Sequence, residues 1–195
     1  MATGQAQIGG EIFEVTDGDL QVRPMGGTIV NIDVIDMLSA GTVSPWGFTT
    51  TISQTPTIGT VAYTANDAVG GTLTFANPVR AVNKGGLIKT ALLIDDDKED
   101  AATDLVLFSA AFTATPDADA FDVTDADLEN CIGVIQFGTA DYHDFNDNSI
   151  AVIQNVDLAF TASGTSSLYG QLVTRGTPTY TAVTDLTVKL VIQQD

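Results

Sequence analysis

The chain has one histidine, one cysteine and one tryptophan in 195 residues, and only seven lysines and arginines. Each shortage excludes or disfavours a class of function. A single cysteine, Cys131, forms no internal disulfide and builds no cysteine-based zinc site. It opens an apolar run after Asn130, with neither Lys nor His beside it to lower its pKa, so it reads as a small core residue. Against the seven basic residues stand 25 acidic ones, a formal charge of −18. That disfavours nucleic acid and anionic membranes as partners, because phosphate binding needs clustered Lys and Arg. It also keeps copies apart in solution. No P-loop, no G-x-G-x-x-G and no G-x-S-x-G occurs. No apolar run approaches the roughly 20 residues that span a bilayer. Met1 to Gln7 has neither a basic stretch nor an apolar one, so no signal peptide is expected and the chain is expected to be made and folded in a cytoplasm.

What is present is strand-forming sequence. The chain is 44% hydrophobic with a mean hydropathy of +0.19, enough for a real core and unlike a disordered acidic tail. Its length suits one domain, or one domain with an appendage. Near the C-terminus Leu186, Val188, Leu190 and Ile192 alternate with Asp185, Thr187, Lys189 and Gln193, the period-two signature of a half-buried strand. Ile150 to Phe160 alternates with Val152, Val156, Leu158 and Phe160 in one phase. Gln154 interrupts that phase and predicts a bulge or a satisfied polar contact. Leu105 to Phe108 is apolar throughout and predicts a strand covered on both faces. Further strands are expected near Thr60–Tyr63, Leu73–Phe75, Leu87–Ile94, Ile132–Phe137 and Leu168–Val173. One short helix is expected after Thr124, an N-cap followed by Asp125, Asp127 and Glu129, with Gly133 beyond its end.

About eight strands recurring every 8 to 20 residues predict an all-β fold, a jelly-roll-like antiparallel β-sandwich over residues 59–195. Residues 1–58 differ in texture and are expected to form an N-terminal extended arm or small β subdomain. Glu11–Val15 and Leu20–Arg23 flank Thr16-Asp17-Gly18, a hairpin signal. Thr28–Ile35 reads as a strand, and the Thr-, Ser- and Pro-rich passage from Thr42 to Pro56 as extended chain. Two or three strands bury too little surface to fold alone, so this region is expected to supply attachment and inter-subunit contacts. Trp46, flanked by Pro45 and Phe48, either folds back into its own domain or anchors a neighbour. Trp46, Phe48, Phe13 and Arg23 are the candidate interface residues.

The polar clusters offer weak chemistry. Asp95-Asp-Asp-Lys-Glu-Asp100 has no glycine to reverse a calcium loop and reads as a solvated turn. Asp117–Asp122 and Asp144–Asn148 look a little like EF-hand openings but lack Gly at the sixth position and Glu at the twelfth. His143 could be drawn into a triad with Asp141 or Asp144 and a distant serine, yet no nucleophile turn supports it, and a surface-loop histidine is favoured. Paired carboxylates for glycoside hydrolysis stay open, since their spacing is invisible in sequence. A sugar site also wants aromatic platforms, and Trp46 is the sole tryptophan. No catalytic, metal or cofactor-binding residue is assigned, and no cofactor is expected.

An ordered set of motifs carries a resemblance. It runs through Tyr63-Thr-Ala-Asn-Asp-Ala-Val-Gly-Gly71-Thr-Leu-Thr-Phe75, Asp104-Leu-Val-Leu-Phe108, Ala120-Phe-Asp-Val-Thr-Asp-Ala-Asp127-Leu128, Ile132-Gly-Val134 and Asp147-Asn148. It ends in Leu168-Tyr-Gly170, Thr174-Arg-Gly-Thr-Pro-Thr-Tyr180 and Asp185-Leu-Thr-Val188. In this order, over about two thirds of the chain, the motifs resemble the capsid decoration (cement, head auxiliary) proteins of tailed bacteriophages. The resemblance implies a jelly-roll-like sandwich on the outside of a virion and no enzymatic role. The partner it implies is the major capsid protein, bridged to stabilise the shell, with the chain itself a homo-oligomer (dimer or trimer). The acidic surface suits a protein facing away from packaged DNA. Residues 1–58 lie outside the resemblance. A phage fibre or adhesin module that binds carbohydrate, with calcium held by the acidic loops, is the alternative.

Overall fold

The structure is a computed structural model that describes residues 3–8, 11–16, 19–22, 30–31 and 48–194, with the backbone alone before Phe48. The chain divides into two compact units, Met1–Pro45 and Trp46–Asp195. In the first, β1 (Thr3–Ile8), β2 (Glu11–Thr16), β3 (Asp19–Val22) and β4 (Val30–Asn31) form an antiparallel sheet in sequence order. Thr16 pairs with Asp19 in antiparallel register, the pairing a hairpin at this place calls for. The rest of the strand expected over Thr28–Ile35 lies outside the described residues.

The second unit is a β-sandwich. Its strands are β5 (Phe48–Gln54), β6 (Ala68–Ala76), β7 (Gly85–Asp95), β8 (Thr103–Phe108), β9 (Cys131–Phe137), β10 (Tyr142–Asp144), β11 (Ser149–Thr161), β12 (Ser167–Thr174) and β13 (Leu186–Gln194). One sheet has the order β10-β11-β7-β13-β5 and the other β6-β12-β8-β9. All neighbours are antiparallel. The pairs nest: β5 with β13, β6 with β12, β7 with β11 and β8 with β9. A long hairpin folded back across itself gives this pattern, which is that of a jelly roll. The two sheets bury Leu73, Phe75, Leu93, Leu105, Leu107, Leu168, Leu172, Leu186 and Leu190 between them.

The strand patterns explain how the layers form. In β13 the residues Leu186, Val188, Leu190 and Ile192 all face the core with no exposure. Every residue of β8 is buried. Leu105 and Leu107 point between the sheets, while Val106 and Phe108 join Val173 in a second cluster on the outer face. The connection from Ser109 to Asn130 covers that cluster with Phe112, Phe121 and Val123, and Phe112 stacks on Phe108 at 4.1 Å. Helix α1 (Asp125–Leu128) lies in this connection, and Thr124 caps it by accepting the Asp127 N–H at 3.1 Å. Cys131 is half-buried at the edge of the same cluster.

Three expectations about the strands change, the first being that no strand forms over Thr60–Tyr63, which lies between β5 and β6. Gln154 does mark a bulge, where the β11–β7 register shifts between Gln154 and Leu158. Asn155 and Asp157 turn left-handed there, and Asp157 pairs with Lys89. The bulge also reverses the alternation: Ala151 faces the core before it and Phe160 after it, so Val152 and Phe160 do not share a face. The arm expected over 1–58 ends sooner, because Phe48–Gln54 belongs to the sandwich as the edge strand beside β13. Its sequence, Phe-Thr-Thr-Thr-Ile-Ser-Gln, offers only Ile52 to the core, too little apolar alternation to read as a strand.

Candidate functional site

A cluster of polar contacts lies where β7 ends. Asp95 continues the inward phase of Ala91 and Leu93, and it is 0% exposed. Across the sheet it stands opposite Ser149, the first residue of β11, and Leu186, the first of β13. The loop that follows wraps around the Asp95 carboxylate. The Asp97 N–H donates to its Oδ1 at 3.1 Å and the Asp100 N–H to its Oδ2 at 3.0 Å. Lys98 and Asp100 take positive φ to make this turn. Burial raises the Asp95 pKa above 3.8, against the lowering effect of these N–H donors.

The loop's other carboxylates hold the chain entering β13. Glu99 Oε2 accepts the Thr179 N–H at 3.0 Å. Asp97 accepts both the N–H and the hydroxyl of Thr181, at 2.9 and 3.0 Å. Asp185 Oδ2 accepts the N–H groups of Thr181 and Ala182, at 3.1 and 2.6 Å. Tyr142 donates to the Ala101 carbonyl at 3.0 Å. Burial pushes the Tyr142 and Tyr180 phenols up, and the negative charge of Asp95 adds to the shift in both. The run Asp95–Asp100 is therefore a hydrogen-bonded clamp with a buried root, where a solvated turn was expected. Beside it lies an open hollow of about 400 Å³ lined by Glu99, Asp100, Ala102, Thr139, Arg175 and Pro178.

His143 is exposed on β10 opposite Ile150, and among the described residues no serine or carboxylate hydrogen-bonds its ring. Asp144 lies 3.4 Å from Lys98 Nζ, which also donates to the Phe145 carbonyl at 3.0 Å. Asp117 Oδ1 accepts the Tyr63 hydroxyl at 2.7 Å and the Gly70 N–H at 2.5 Å, and Tyr63 accepts the Gly59 N–H at 2.7 Å. Burial, then the bond to Asp117, raises the Tyr63 phenol. Among the described residues no three His, Cys, Asp or Glu side chains converge to hold a metal.

Of the four candidate interface residues, Phe48 is described. It is 39% exposed at the start of β5, with the Arg80 guanidinium 4.2 Å above its ring. Trp46 and Arg23 lie outside the described residues, as does the side chain of Phe13. A partly apolar hollow of about 340 Å³ opens between β9 and β11, lined by Val134, Gln136, Ile153, Asn155, Val156 and Leu158. Sequence reasoning missed the burial of Asp95 and Ser149. The signal was there, since both sit in the inward phase of their strands, with Leu93 and with Ala151.

No protein-family model matches the chain, and no curated protein is similar to it. A solved structure, the native virion of Kashmir bee virus at acidic pH, is similar over 98% of this chain and 88% of that one. The identity is 10% and the TM-score 0.28, too slight a likeness to argue from.

Proposed function

We propose that this is a non-enzymatic structural protein of a virion, a decoration or cement protein on the outside of a phage head. It binds the major capsid protein, bridges neighbouring subunits and acts as a homo-oligomer. One observation carries the reading: the stretch whose ordered motifs resemble decoration proteins folds as one jelly roll with nested strand pairs. Fold alone assigns no function, so the order of motifs along that fold is the second support. The polar clusters fit a structural role, because their carboxylates accept main-chain N–H groups and phenols of the same chain. The same engagement leaves the carbohydrate-binding alternative with little to hold a sugar.

The test is to compare phage particles with and without this protein. Loss of the protein is expected to leave assembled heads that release DNA at lower temperature, and adding it back restores them. Absence of the protein from purified virions, or unchanged heat resistance of heads that lack it, overturns the reading.

A further inference from the structure

Two buried polar atoms near the root of the acidic clamp have no hydrogen-bond partner: Ser149 Oγ and Asp100 Oδ1. Ser149 is 1% exposed and faces Asp95 across the β11–β7 ladder, which places both side chains on the inner face of the sheet. Asp100 binds Asp95 through its own N–H, and its charge acts on both Asp95 and Tyr142. Among the described residues no lysine or arginine pairs with a carboxylate of this corner. Lys98 turns to Asp144 and the Phe145 carbonyl, and Arg175 to Asp104 and Asn66. A buried carboxylate ordinarily has a cationic partner, coordinates a metal or gives up its charge.

We propose that Asp95, Asp100 and Ser149 form a buried site for a hard divalent cation of the calcium class, which ties the Asp95–Asp100 loop to the start of β11. The cation satisfies both unpartnered oxygens at once and neutralises the two carboxylates. Three carboxylates do not converge here, so main-chain carbonyls and water complete the shell, a mixture calcium accepts and magnesium tolerates poorly. Entry is through the hollow that Asp100 lines. Being buried, the ion stabilises the fold and does not bridge to a ligand outside. This inference stands apart from the virion reading, since it concerns the isolated chain.

The experiment uses the full chain stripped with chelator. Terbium is added and excited through tyrosine, because Tyr142 and Tyr180 both feel the charge of Asp95. Calcium is then titrated against it, with thermal unfolding followed in parallel. Expected are sensitised terbium emission, its displacement by calcium, and a higher Tm in calcium than in chelator. Asp100→Asn keeps a residue that tolerates the positive φ at this position, so it folds, and it should weaken calcium at least about tenfold. Ser149→Ala gives a second reading of opposite sign. Without cation it raises Tm, because an unpartnered buried hydroxyl is gone. With calcium it shows a smaller Tm gain than wild type. If neither emission nor a calcium-dependent Tm is seen, Asp95 is held as a neutral acid and the proposal fails. A response of wild-type size in both variants places any binding elsewhere on the acidic surface and also overturns it.

Discussion

Gln171 and Thr115 meet as two strand residues would, except that one side is a side chain. The Thr115 N–H donates to Gln171 Oε1 at 3.1 Å, and Gln171 Nε2 donates back to the Thr115 carbonyl at 2.6 Å. Nε2 also donates to the Gly70 carbonyl at 2.8 Å, so both amide donors are used. Gln171 has no exposure and lies on the outer face of β12, beneath the connection that covers Val106, Phe108 and Val173. A buried amide here turns an irregular covering segment into a fixed part of the fold.

Replacing Gln171 by Leu keeps the volume and leaves the Thr115 N–H and two carbonyls without partners. The expected loss is about 2–4 kcal/mol in urea unfolding. Faster amide exchange at Thr115 is expected to accompany it. A loss under about 1 kcal/mol would show that water replaces the amide.

Gly70 and Gly71 are adjacent in β6 yet should respond oppositely to alanine. Gly70 has φ +69°, and a Cβ there would lie 2.7 Å from the Pro56 Cβ and 3.1 Å from the Thr57 carbonyl oxygen. Gly70→Ala is expected to cost about 2 kcal/mol or more. A Cβ on Gly71 meets nothing within 4 Å. Gly71→Ala should stay within about 0.5 kcal/mol of wild type. Equal Tm values for the two variants would contradict this backbone geometry.

Arg175 and Asp104 form an ion pair in which one partner is buried and the other is not. Arg175 Nε and Nη2 donate to Asp104 Oδ2 at 2.9 and 2.7 Å, with the side chains 43% and 7% exposed. Arg175→Ala strands the aspartate, and the half-exposed arginine limits the loss to about 1–2 kcal/mol. Adding Asp104→Asn should recover part of it, because no stranded charge remains. A double-mutant cycle with no coupling would remove the pair as a stabilising contact.

Asp95 gives a pH dependence of unusual sign for a carboxylate. Its folded pKa lies above 3.8 because burial disfavours the charge. Between the unfolded and folded values the native state binds the extra proton, so its contribution to stability falls as pH rises through that window. In chelator, the Asp95 carboxyl followed by NMR should titrate above the ordinary aspartate range. A midpoint at or below 3.8 would contradict the buried geometry.

Much of the sandwich was legible in local sequence, for an identifiable reason. The alternation in Leu186–Ile192, the unbroken apolar run Leu105–Phe108 and the cap at Thr124 each depend on residues within one element. Gln154 announced the bulge in the same way. What escaped was set by residues far away. Phe48–Gln54 is a strand because β13 offers it a ladder, since its own threonines and serines carry little apolar signal. Asp95–Asp100 looked solvated because a run of six charged residues normally is, whereas Asp95 is buried at the end of a central strand, paired with Ser149 and Leu186 on its two neighbours. His143 read as a surface residue and is exposed.

The sequence by itself determined which residues alternate, which runs are apolar on both sides, and that catalytic groups are scarce. Those are properties of single segments, written in a side-chain period of two. Only the tertiary structure decided the nesting, in which Phe48 meets Gln194 and Ala68 meets Val173. Strand pairing satisfies main-chain groups common to all residues, so the choice of partner rests on how two sheets bury one core together. The same closure put an aspartate and a serine inside that core, opposite one another, and made an acidic loop part of the fold.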